Sequence, residues 1–120
     1  MQLRHTAPCQ ECPWRKASAA GWLGGLDENF YSDAFNAGEV PACHCHDHGP
    51  ENDKTAFCAG ALSVMANSAK QPGERHSGHA GAAAARDVVG KRDDTFRFFH
   101  EFHRHHTGVD WVHPLMRTAA

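Results

Sequence analysis

A tight Cys9-x-x-Cys12 turn, followed at long and unequal intervals by Cys43 and Cys58, constrains this chain more than any other feature. A CxxC turn offers two soft sulfur donors from one short loop. Two thiols arriving from separate segments can close a four-ligand shell of the kind that zinc and iron–sulfur centres use. In a short chain such a centre can decide whether the fold forms at all. With 120 residues and 41% hydrophobic content, much of it alanine as in the stretch 80–85, the chain has the makings of only a modest core.

The chain contains no apolar run approaching the ~18 residues needed to cross a bilayer. Its first residues, Met1 to Thr6, carry no apolar signal core. The expected compartment is therefore the cytoplasm, with no membrane partner. There the five cysteines read as metal ligands plus a spare thiol rather than as disulfides. A formal net charge of −2 gives no whole-molecule pull toward nucleic acid or anionic lipid, although eleven histidines would turn the chain positive on mild acidification.

The residues predict several short helices. Pro13 at a first helical position and Gly21 at a stop suggest one over 12–21. Asp27 opens a second that Gly38 ends, with Phe30, Ala34 and Phe35 on one side. Val40 to Cys43 reads as extended, because the residue before Pro41 avoids helix, and 44–54 as an exposed polar loop. Leu62, Met65, Ala66 and Ala69 share a helical face with Cys58, behind a Thr55 N-cap. An alanine-rich helix runs to Val89 and Gly90. The last runs from Asp93-Asp94 through Phe96, Phe99, Phe102 and His103 to Gly108, its acidic start and its Arg104/His105/His106 end matching the helix dipole. Three of Phe96, Phe98, Phe99 and Phe102 pack inward and one is exposed. The expected fold is a small, mostly α, metal-stapled domain with a minor β component. Its short helices and one short extended or hairpin element surround a four-Cys site. It comprises a metal-binding region, 1–70, and a helical, His-rich half, 71–120, of the same domain, with a mobile connection at about 71–81.

Cys9, Cys12, Cys43 and Cys58 are the expected ligands, with His44 or Cys45 as alternates for one position. Helix N-termini at Cys12 and Cys58 would favour the thiolate form that binds metal, and Arg15 would donate to sulfur. Zn2+ and an iron–sulfur cluster both remain open: many histidines suit zinc, whereas the Cys12-Pro13 step and room beside Ala59-Gly60 suit a cluster. Ordinary buried thiols and a disulfide are the plainer alternatives.

Cys9-x-x-Cys12-Pro13-Trp14-Arg15, Ala42-Cys43-His44 and Cys58-Ala59-Gly60 together resemble a family of small, functionally uncharacterised proteins of phages, prophages and actinobacteria. The resemblance spans about residues 8–66. It implies that Cys9, Cys12, Cys43 and Cys58 form a shared site with Trp14, Arg15 and His44 beside it. It implies no activity; phage occurrence suggests a host-takeover or anti-defence role. The extra Cys45 and the His-rich C-terminal half depart from the family pattern.

His44, His46 and His48 alternate along the loop, and His100, His103 and His106 recur along the last helix. They suggest a second metal site or, more plainly, a solvated face. Cys45 with His44 or His46 lacks the sequence separation typical of a catalytic pair. Arg97, His100, His103 and Arg104 make a candidate partner surface. A closed thiolate shell leaves no open position for substrate. The expectation is therefore a non-enzymatic zinc protein that binds a macromolecule, either a host protein or a nucleic-acid complex. A redox or electron-transfer iron–sulfur protein is the alternative.

Overall fold

The computed structural model describes residues 2–43, 56–73 and 81–111. Four helices follow one another within them: α1 (Glu28–Ala37), α2 (Ala59–Asn67), α3 (Ala82–Val89) and α4 (Phe99–Thr107). Among the described residues there is no sheet, only three isolated bridges, and no helix long and apolar enough to cross a membrane.

Local chemistry sets the helix ends. Asp27 accepts from the Phe30 N–H at 2.9 Å to start α1. Gly38 stops it in the left-handed region at φ 74°. A Cβ at Gly38 would come within 2.6 Å of the Gly73 nitrogen, so this position needs glycine for space as well as for φ. The inward residues of α1 are Tyr31, Ser32, Ala34 and Phe35. Phe30, expected on one side with Ala34 and Phe35, is exposed while those two are buried, because Tyr31 takes the core-facing position and donates its hydroxyl to the Leu23 carbonyl at 2.8 Å. α2 is buried from Ala59 to Ala66. That is possible because its side chains are small or apolar all round. Ser68 ends it one residue before Ala69, whose positive φ of 57° takes it off the expected face. α3 packs Ala82, Ala85 and Val89 inward and lies on α2, while α4 lies on α1.

Two expected helices differ. Residues 12–21 form successive turns rather than an α-helix. The reason is tertiary: the Trp14 carbonyl accepts from Phe96 N–H, and Lys16 N–H donates to the Asp94 carbonyl, so backbone groups that a helix would use internally pair with a distant segment. The same pairing delays the last helix, which begins at Phe99 and not at Asp93. Its first-turn acid is Glu101, which accepts from the Phe98 N–H at 3.0 Å. Asn67 holds the intervening turn. Its side-chain amide donates to the carbonyls of Arg92 and Phe96 and accepts from Arg92 N–H, each at 2.9 Å.

The extended element is real but short. Ala42 pairs antiparallel with Phe57, and Ala56 pairs parallel with Gln2, so residues 56–57 lie between two other segments. Most of the expected mobile connection at 71–81, and all of the 44–54 loop with Thr55, lie outside the described residues.

One aromatic cluster fills the centre. Trp14, 1% exposed, stacks on Phe102 at 4.1 Å between centroids and meets Tyr31 edge-on at 5.7 Å. Phe35 and Phe99 stack on each other at 4.8 Å beside it. Of the four C-terminal phenylalanines, 96, 99 and 102 are buried and Phe98 is exposed. The Cα radius of gyration, 13.5 Å, matches a compact chain of this length.

Asn67→Ala should lower stability by about 2–3 kcal/mol, since it strands backbone groups at the 92–96 turn. Denaturant unfolding checks this, and an unchanged midpoint would contradict it.

Candidate metal centre

The CxxC segment forms a turn closed by Cys12 N–H to the Cys9 carbonyl at 3.1 Å. Arg15 clamps that turn from its backbone side. Its Nε donates to the Cys9 carbonyl at 2.6 Å and its Nη2 to the Pro8 carbonyl, while Nη1 lies 3.5 Å from Asp94. Arg15 was expected to donate to sulfur. It instead satisfies the carbonyls that shape the turn, because these point back along the chain toward it.

Cys12 is 2% exposed. Cys58 and Cys9 both act on its titration, and Gly60 lies against its sulfur, so the CxxC turn meets the start of α2 here. The Cys58 contact, together with burial, pushes the Cys12 thiol far above its ordinary range, and the Cys9 contact acts in the opposite sense. Cys58 is itself the N-cap of α2, and its sulfur accepts from Ala61 N–H at 3.4 Å. This places Cys58 immediately before the helix, not in its first turn. Gly60 makes the meeting possible. A Cβ there would lie 2.3 Å from Cys12 Sγ and 2.9 Å from Trp14 Cβ. Trp14 thus closes the inner side of the thiol group, and its indole nitrogen is buried with no hydrogen-bond partner among the described residues.

Cys43 is buried in the neighbouring extended segment, and its sulfur lies 3.7 Å from His5 Nε2. The backbone bonds Cys43 N–H to Ala56 O and Cys58 N–H to Pro41 O frame the Ala42–Phe57 pair. Cys43 and Cys58 therefore share the opposite face of that ladder as diagonal neighbours, a spacing of about 7–8 Å. His44, Cys45, His46 and His48 lie outside the described residues.

Among the described residues, no group of three or more His, Cys, Asp or Glu side chains is arranged to hold a metal ion as it stands. Cys9, Cys12 and Cys58 are nonetheless all thiols, the donor type that a soft metal takes. Comparison with protein-family models, curated proteins and solved structures returned no match for this chain.

Three of the four histidines of α4 are structural. His106 Nε2 donates to the Pro13 carbonyl at 2.8 Å, and Nδ1 accepts from Gly21 N–H at 3.1 Å. His105 reaches the Ser18 carbonyl at 2.7 Å. His103 pairs with Glu28 of α1 at 2.7 Å. His103, expected on a partner surface with Arg97, His100 and Arg104, is thus buried, as is His106, while the other three are exposed. In place of a fully solvated histidine face, His105 and His106 fasten the CxxC-bearing segment to α4 and His103 ties α4 to α1, while His100 stays exposed. The spacing of His103 and His106 with Phe99 and Phe102 carried that signal. His5, Gly60 and Glu28 carried no comparable one, since each matters only through a residue distant in sequence.

Gly60→Ala should expel Cys12 from its place against α2 and lower stability by about 2–4 kcal/mol, read by thermal melting; an unperturbed melt would contradict the close approach. Burial holds the His106 pKa below the usual 6.5, with the Pro13 carbonyl opposing and His105 adding to the shift. A depressed histidine pKa means the unfolded chain takes up the proton first. Its contribution to stability is full above about pH 6.5 and lost as pH falls through the folded value. Urea unfolding from about pH 7.5 to pH 5 should show a shallower fall for His106→Gln than for the parent, and equal slopes would contradict this.

Proposed function

We propose that this chain is a small accessory protein, built around a structural Zn2+, that acts by binding a macromolecular partner. The observation that carries the metal reading is the buried Cys12 sulfur held against Gly60, two residues after Cys58, at the start of α2. Cys43, on the same ladder face as Cys58, is the fourth ligand. Its sulfur must turn from His5 toward the other three to bring the sulfurs to about 3.7 Å of one another, the separation a tetrahedral zinc–thiolate shell requires. The charge of a bound cation would offset the burial and the Cys58 contact that disfavour the Cys12 thiolate. Trp14 and Arg15 support the site, one by closing its apolar side and the other by fixing the turn. Such a shell has no open position, so function lies on the surface, with exposed Arg97, His100 and Arg104 as candidates. The likeness to phage and prophage proteins favours host takeover or anti-defence in a host cytoplasm.

An iron–sulfur cluster is the second reading, suggested by the Cys12-Pro13 step. The space expected for it beside Gly60 is taken by Cys12 Sγ and Trp14, which favours a single ion. Anaerobically purified protein should be colourless with one zinc per chain; brown protein absorbing near about 400 nm would mean a cluster. Cys12→Ser or Cys58→Ser should lose both metal and cooperative unfolding, whereas Cys45→Ser should keep both. Full metal retention in Cys12→Ser would overturn the assignment.

A further inference from the structure

Away from the cysteines, a cavity of about 380 Å³ is lined by Lys16, Asn67, Lys91, Arg92, Asp93, Thr95 and Arg97. Four of its seven lining residues are cationic. Lys16, Lys91 and Arg97 are exposed and make no ion pair among the described residues. Arg92 spends its Nε and Nη2 on Asp94, at 2.8 and 3.0 Å, leaving Nη1 for another partner. The floor is firm. Thr95 is 1% exposed, and its hydroxyl meets Ser63 Oγ at 2.8 Å. Asn67 is committed to the backbone of the same turn. Asp93 supplies the cavity's only lining carboxylate, so the mouth stays positive.

These cations do not form one run in the sequence. The Arg15–Thr95 bridge and the Lys16 N–H to Asp94 carbonyl bond at 3.0 Å carry Lys16 across to the rim of the 91–97 segment. The fold therefore assembles a convergent set of donors from two distant segments over a rigid polar floor.

We propose that this cavity binds a phosphate group of a larger molecule. A tetrahedral dianion takes charged donors from several directions, as Lys16, Lys91, Arg97 (its guanidinium over the Phe98 ring at 5.3 Å) and a spare Arg92 N–H offer. The cavity exceeds what a free phosphate fills, so the group belongs to a nucleic-acid backbone or to a small phosphorylated molecule. This inference rests on the reading that the domain works through its surface, and it gives that surface a ligand chemistry.

Fluorescence anisotropy with a labelled single-stranded oligonucleotide, and calorimetry with ATP, separate the two sources. Lys16→Gln and Arg97→Gln should each weaken binding about tenfold. Asp93→Asn should strengthen it several-fold by removing the opposing carboxylate. If the backbone is the source, the oligonucleotide shows this pattern, and the salt slope falls by about one per cation removed. ATP showing it alone identifies a small phosphorylated ligand. No saturable binding of either probe, or binding insensitive to all three substitutions, would overturn the site. The substituted side chains are exposed, and circular dichroism verifies that each variant is folded. Zinc content measured on the same samples separates failure here from failure of the metal centre.

Discussion

The close approach of Cys12 to the first turn of α2 is the constraint on which the remaining structure depends. It requires a residue without a side chain at position 60, since even a Cβ would sit 2.3 Å from the sulfur. Once the segment lies there, Trp14 is carried into the centre and gives Phe102, Tyr31, Phe35 and Phe99 a common surface. Aromatic rings supply most of the large buried area in a chain whose other apolar residues are largely alanine. The core is thus organised from a loop rather than from a helix.

That loop is held on every side by polar groups brought from elsewhere. Arg15 fixes its beginning, the 94–96 segment takes its backbone, and His105 and His106 fasten Pro13, Ser18 and Gly21 to α4. Each of these bonds satisfies a backbone group, and the Pro13 carbonyl that His106 serves is buried, so losing that bond costs more than its net worth in water. Asn67 does the same for the neighbouring turn. Irregular segments can carry a core when their backbone is accounted for in this way.

Features with local causes were legible in the sequence. Asp27 and Gly38 bound α1, and Gly90 and Gly108 close α3 and α4, because caps act on neighbouring residues. Of the four expected thiols, Cys12, Cys43 and Cys58 are buried and Cys9 half-buried, with the Cys43 sulfur beside His5. Residues 12–21 have helical composition and caps, yet tertiary backbone pairing overrides both. The polarity of His103 and His106 reads as solvated although their spacing with Phe99 and Phe102 puts them inward, because their partners Glu28, Pro13 and Gly21 are far away in the chain. The cationic cavity was hidden for the same reason, since Lys16 joins Lys91 and Arg97 only in the folded chain.

X-ray absorption at the metal edge of the purified, folded protein tests the central claim most directly. A stoichiometric zinc signal with four sulfur neighbours at about 2.3 Å is the predicted result. Folded protein without bound metal, or with a shell of nitrogen and oxygen only, would contradict it.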